Sequence, residues 1–313
     1  MNFNIASRTI LSVRHGSHAY GTNIEGSDLD IKGVCIPPKE YYLGFYKRFE
    51  QQVSKSPNDM VIFALDKFVK HAADCNPNFL EVLFVAATDL IHVDEFAMRL
   101  LDMRHMFLSK KAKHTFSGYA FSQLKRIKTH RAWLMNPPAK EPKREYFGLP
   151  SERRVSKSEM GAFLQVEEKK LLEGSGVSEG VIELLQREKA YGNAKREWEQ
   201  YQGWKRERNP SRAGLEAKFG YDCKHAMHMF RLGRMCKEIL LEGVVRVKRP
   251  DAAELVAIRK GAMSYEQLIA EFEVLEAECE EAYKVSTLPK SVDMAAIDAL
   301  IVGLTEEYLK LYG

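Results

Sequence analysis

Two aspartates one residue apart, following a Gly-Ser pair, constrain this chain more than any other feature in it. The stretch His15–Pro38 reads HGSHAYGTNIEGSDLDIKGVCIPP. Leu29–Pro38 carries Ile and Val and stops at a double proline, as a strand does. Asp28 and Asp30 on that predicted strand then leave the same face. Two carboxylates so close repel each other unless a cation lies between them. An oxygen-only pair suits Mg2+ or Mn2+ and not zinc. Eleven residues before Asp28, Ser17 closes the Gly16-Ser17 pair at the end of another apolar run, Ile10–Val13. A Gly-Ser turn opening a helix offers backbone N–H groups and a hydroxyl to a phosphate. Gly21 and Gly26 keep the intervening loop tight. Together the parts describe a site for a nucleoside triphosphate with bound metals. The plain alternative is a Gly-rich turn before a strand with exposed acids. Average residue frequencies give the pattern by chance in a chain of this length roughly three times in ten thousand.

Around this stretch the chain reads as a small α/β head followed by a larger helical body, an α+β organisation. Met60–Ala64 is a further strand and leads into the helical LDKFVKHAAD. Asn76-Pro77 breaks that helix, and Phe79–Val85 is a second strand or a buried helix. From Val93 to Met135 the pattern is helical, and Asn136–Pro150, with four prolines, is a loop or lid. Ser156–Leu172 and Val181–Gln202 read as amphipathic helices. A break at Gly203–Gly214 precedes a long helix, Tyr221–Glu242. GVVRVKRPD then reads as a small hairpin or extended turn, and two more helices follow at Ser264–Tyr283 and Ala295–Leu311. The expected divisions are a catalytic head over 1–100, a basic helical segment over 101–205 and a C-terminal helical domain over 206–313.

The motif resembles that of nucleotidyltransferases of the DNA polymerase β superfamily, and more narrowly a group associated with RNA repair in bacteria and phages. GSHAYGTNIEGSDLDIKGV, CNPNFLEVLF, FSGYAFSQLKRIKTHR, FGLPSERRVSKSEMGAF, KFGYDCKHAMHMFRL and RPDAAELVAIRKG carry the narrower likeness. It implies a polymerase β-like head with a mixed sheet and flanking helices. It also implies transfer of a nucleoside monophosphate from an NTP to a hydroxyl, with two Mg2+ and release of pyrophosphate. The implied acceptor is an RNA end, with a damaged tRNA as one form of it.

The resemblance also calls for a third carboxylate beside Asp28 and Asp30. Asp59 begins the run DMVIFAL and could reach the pair from an adjacent strand. Glu81 is an acid inside an apolar stretch, which is costly unless it is paired or ligates metal. Asp59 is favoured, with Glu81 close behind. Gly16, Ser17, Gly21 and Ser27 are the expected nucleotide contacts of the head. A second cluster lies in YDCKHAMHMFR. On a helix Lys224, His228 and Arg231 share one face, with His225 beside it. That face fits contact with a triphosphate or with the acceptor. His225 and His228 could instead ligate a transition metal, but no companion ligand is spaced to complete the set. The plainer alternative is a helix with its basic residues in solvent.

The net charge of +4 conceals an asymmetry. Between Arg104 and Lys157 there are 14 Lys/Arg and 3 Asp/Glu, a net of +11 in 54 residues that leaves −7 for the remainder. Such a block suits a phosphate-rich partner, though it can equally be a solvated face. Lys125, Arg126, Lys128 and Arg131, interleaved with Trp133, could track a nucleic-acid backbone, with Arg144, Arg153 and Arg154 extending the surface. Trp133 could equally belong to the core. No apolar run is long enough to span a bilayer and no signal-peptide pattern opens the chain. The five cysteines form no CxxC pair, which points to a reducing cytoplasm. Transfer to a protein or small molecule, or nucleotide binding without turnover, are the remaining alternatives. Oligomeric state is not readable from the sequence.

Overall fold

The computed structural model describes residues 3–55, 58–152, 179–208 and 210–313. A mixed sheet is built from β1 (Thr9–His15), β2 (Asp30–Cys35), β3 (Gln51–Ser54), β4 (Asp59–Ala64) and β5 (Leu90–Val93), in the order β3-β4-β2-β1-β5. β1 runs antiparallel to both β2 and β5, β3 runs antiparallel to β4, and β2 and β4 are parallel. The distribution of apolar residues decides which end of the sheet is open. In β2 and β4 the buried residues are the last three, Gly33-Val34-Cys35 and Ile62-Phe63-Ala64. The first residues, Asp30 and Asp59, are left at the less buried end and are Cα partners across the parallel pair. Gly33 is forced by close packing. A Cβ there would stand 2.6 Å from both Ile62 Cδ1 and the Leu11 carbonyl oxygen.

The helices are α1 (Gly16–Tyr20), α2 (Lys39–Leu43), α3 (Leu65–Ala73), α4 (Pro77–Leu83), α5 (Glu95–Asp102), α6 (Lys111–Met135), α7 (Glu179–Glu207), α8 (Pro210–Phe219), α9 (Cys223–Glu242), α10 (Ala252–Arg259), α11 (Tyr265–Val285) and α12 (Met294–Tyr312). α3 buries Leu65, Phe68, Val69, Ala72 and Ala73, the spacing of one helical face. α4 starts where Asn76 caps it by accepting from the Asn78 N–H, with Pro77 in the first turn. α9 is capped by Asp222, which accepts from the N–H groups of Lys224 and His225, and stops at Gly243 with φ 64°.

The described residues fall into two compact units. One comprises the chain up to Lys128 together with Tyr221–Gly313, and the other spans Thr129–Gly220. The first holds the whole sheet and the helices α9 to α12. In the second, Trp133 packs against Tyr201 and Trp204, and Phe147 against Tyr191.

The α+β organisation matches the sequence expectation, and several elements differ in detail. Phe79–Val85 resolves as the helix α4. Residues 203–214, read as a break, carry the end of α7 and the start of α8. The GVVRVKRPD stretch forms no ladder and is an extended turn. β3, β5 and α10 had no counterpart in the reading. Ser156–Leu172 lies outside the described residues. No helix among those described is long and apolar enough to cross a membrane. All five cysteines are buried and unbridged.

Candidate active site

β1 delivers the chain to Gly16, which turns it into α1 with φ +65°. A Cβ at this position would collide with the Asp30 carboxylate. Glycine is therefore required twice, for the left-handed backbone and for the approach of that side chain. The Gly-Ser turn and the Asp-x-Asp pair thus touch directly. α1 ends at Gly21 (φ 73°), and the Thr22 N–H donates to the Ser17 carbonyl at 2.9 Å. The loop that follows is closed by Ser27, whose Oγ accepts from the Ile24 N–H at 2.9 Å. The ring of His18 reaches the Ser27 carbonyl at 3.2 Å. Asp28 leaves this loop exposed, just before β2 begins at Asp30.

Asp59 is the Cα partner of Asp30 across the parallel pair, and Asp28 lies two residues before Asp30 in the chain. Burial raises the Asp30 pKa first, and the neighbouring Asp59 and Asp28 carboxylates push it further up. Lys32 and Lys224 oppose the shift. A carboxylate whose charge is disfavoured by two neighbouring carboxylates, with oxygen donors only, is a donor type suited to a hard divalent cation. Asp28, Asp30 and Asp59 are the oxygen donors at this end of the sheet that could hold such an ion, with their carboxylate oxygens not all drawn within 4.8 Å of one another in this structure.

Glu81 has a different position. It is 1% exposed, on α4, and both its oxygens are taken. Oε1 accepts from Arg231 Nη1 at 2.6 Å and Oε2 from the Tyr20 hydroxyl at 2.5 Å. His15 Nε2 lies 3.3 Å from Oε2. The Arg231 guanidinium also stands over the Tyr20 ring at 3.8 Å. Burial alone would raise the Glu81 carboxyl, but Arg231, His15 and Tyr20 together outweigh it and hold the pKa low. His15 is lowered to about 4, by burial first and then by Lys32, so its contact with Glu81 is a hydrogen bond from a neutral ring. The structure therefore sets Asp59, not Glu81, beside Asp30, and places Arg231 inside the protein against Glu81.

On α9, Lys224, His225 and His228 are half-buried. Burial, followed by Arg231 and Lys224, holds His228 well below its ordinary pKa. His225 donates from Nδ1 to Gln123 Oε1 at 2.7 Å. Lys125, Arg126 and Lys128 are exposed on α6. Two residues of the expected basic surface are turned inward. Arg131 donates to the Gly220 carbonyl at 3.1 Å. Arg144 forms a two-pronged pair with Glu188 and donates from Nε to the Pro150 carbonyl at 2.7 Å. Trp133 is in the core of its unit at 5% exposure, so its ring is not offered for stacking on a base. Arg153 and Arg154 lie outside the described residues.

The sequence reading missed Lys32, whose Nζ donates to the Asn78 carbonyl at 2.8 Å. Burial lowers its pKa to about 8. Its position two residues after Asp30 on the same strand was the available signal. Asn76, Asn78, Tyr119 and Gln123 were missed as well, because none carries charge.

Residues 3–136 match the family model described as RNA repair pathway DNA polymerase beta family. That segment contains the whole sheet, the Gly-Ser turn and the three aspartates, so the similarity falls on the head and covers under half of the chain. A protein of Enterobacteria phage T4, an uncharacterized 38.9 kDa protein in the nrdC-mobD intergenic region, is 30% identical over 133 residues. The match covers 37% of this chain and 38% of the phage protein. No solved structure matches the chain.

Proposed function

We propose that the protein is a metal-dependent nucleotidyltransferase that moves a nucleoside monophosphate from an NTP to a hydroxyl of an RNA end. The packing of the Asp30 carboxylate against Gly16, with Asp28 two residues before it and Asp59 its partner on β4, carries this reading. The donor set fits Mg2+ or Mn2+, held by the three aspartates. Such an ion, when bound, neutralises phosphate charge and lowers the pKa of a coordinated hydroxyl. The backbone of Gly16 and Ser17 faces the distal phosphates, and Lys224 adds positive charge next to Asp30. The acceptor oxygen attacks the α-phosphorus and the bond from that phosphorus to the β-phosphate oxygen breaks. Pyrophosphate leaves, and the hydroxyl proton passes to a carboxylate of the trio. RNA as acceptor is supported by the description of the matching family and by the exposed Lys125, Arg126 and Lys128. A tRNA end is the form of acceptor we would try first.

The test incubates the protein with Mg2+ and each α-labelled NTP, with tRNA, RNA or DNA oligonucleotides or no acceptor, beside Asp28→Ala/Asp30→Ala. Label is expected in RNA and lost roughly a thousandfold or more in the variant, the scale of several kcal/mol of charge stabilisation. Label on a protein instead would move the acceptor assignment to protein modification. Label that persists in the variant would sink the aspartate mechanism.

A further inference from the structure

Beyond the carboxylates, two hydrogen-bonded runs of polar groups meet on α6, one from β2 through α4 to Tyr119 and one from α9 to Gln123. Lys32, two residues along β2, donates to the Asn78 carbonyl. The Asn78 N–H donates to Asn76 Oδ1 at 3.1 Å, and the Asn76 amide donates to the Tyr119 hydroxyl at 3.4 Å. One helical turn further along α6, Gln123 holds His225 of α9, which follows Lys224. Their members are open to solvent where a core would be closed. Asn78 is exposed, Tyr119 is 38% exposed, and Gln123 is half-buried.

Aromatic rings and amides in this combination have a specific use. A tyrosine ring offers a face for a nucleobase, and stacking of that kind is indifferent to which base is present. An amide held in one orientation offers a paired donor and acceptor, the pattern that reads the edge of a base. Gln123 is held in this way, since Oε1 accepts from the His225 Nδ1–H at 2.7 Å and Nε2 donates to the Ser122 Oγ at 3.4 Å, each of which leaves one further lone pair or N–H.

We infer that Tyr119 and Gln123 form a nucleoside-binding shelf, with Tyr119 stacking on a base and Gln123 setting which base is accepted. The inference rests on the nucleotidyl-transfer reading of the adjoining aspartates. A nucleoside reaches the shelf from one of two sources, the incoming NTP or the terminal residue of the RNA acceptor. Both present the same ring and edge.

Equilibrium titrations with each of the four Mg-NTPs and with an RNA oligonucleotide separate the sources. They are run on the unmutated protein, Tyr119→Ala, Tyr119→Phe, Gln123→Ala and Asp28→Ala/Asp30→Ala, with thermal melting to establish that each is folded. Tyr119→Ala is expected to weaken one ligand roughly tenfold while Tyr119→Phe stays near the unmutated value. Gln123→Ala is expected to level the preference among bases without loss of inorganic triphosphate as competitor. Weakening confined to NTPs assigns the shelf to the donor nucleotide, and weakening confined to RNA assigns it to the acceptor end. Folded Tyr119→Ala and Gln123→Ala proteins that bind every ligand within twofold of the unmutated protein would overturn the shelf. An unmutated protein that binds ligands with the expected preference yet transfers no label, like the aspartate variant, would overturn the catalytic reading alone. Absence of all nucleotide and RNA binding would remove both.

Discussion

His15 ends β1 with its imidazole 4% exposed and neutral, and this sets a pH response. Its folded pKa of about 4 lies below the ordinary 6.5, so between those values the unfolded chain binds the extra proton. Stability therefore rises with pH across that window, and acidification from pH 6.5 to 4 costs up to about 3 kcal/mol at this residue. Glu81 acts in the same direction at lower pH. Its carboxyl is depressed in the fold, so its contribution is complete above the unfolded value of about 4.3 and is lost below it. His15→Gln, which keeps a donor toward Glu81 without a titrating ring, is expected to flatten the urea midpoint between pH 4.5 and 7. An unchanged slope would remove His15 from the account. Residues of this kind differ in how far the sequence reveals them. The cost of Asp28 beside Asp30 is local, so the need for a cation was legible. Asp59 was legible only as one of two acids, because its pairing with Asp30 depends on strand register. Glu81 could not be separated from a metal ligand, since its partner Arg231 lies 150 residues later.

Among the elements, α4 and α9 are tied together by that buried pair. Removing only the cation leaves a buried carboxylate that keeps its Tyr20 and His15 contacts but loses the guanidinium on Oε1, and Arg231→Met is expected to cost roughly 3–5 kcal/mol in denaturant unfolding. Glu81→Gln/Arg231→Met should recover most of the loss, because the desolvation penalty goes with the charges. A double variant no more stable than Arg231→Met would show that packing, not charge, dominates there. Helices with a repeating apolar face, such as α3 and α9, were legible from their spacing. β3 and β5 were not. Each has four residues, and QQVS and LIHV give too few alternations to stand out, so their existence depends on β4 and β1 being in place to pair with. α4 was ambiguous for the opposite reason. Nearly every residue in it is buried, and a continuous apolar run carries no period.

At the scale of the molecule, the block of positive charge is smaller as a surface than as a sequence. Of the five basic residues expected to meet RNA and described here, Arg131 and Arg144 are spent on internal contacts, leaving Lys125, Arg126 and Lys128. Three phosphate contacts on a single strand correspond to a slope of about −2 in log affinity against log salt. RNA titrations from 50 to 300 mM KCl should give that value, and neutralising all three cations should bring it near zero. A slope of −5 or steeper would mean that residues beyond these three carry the contact. The division of the described residues into two units was the part least available to sequence reading, since one unit is made from both ends of the chain. The Glu81–Arg231 pair spans that same separation and has a consequence during synthesis. The ribosome releases β1 through α4 long before α9, and at about 5–20 residues per second the 150 intervening residues take roughly 8–30 s. Throughout that interval the nascent head holds Glu81 without the guanidinium that meets its Oε1. The buried pair that ties α4 to α9 is then completed late, long after the aspartates of the head have been made.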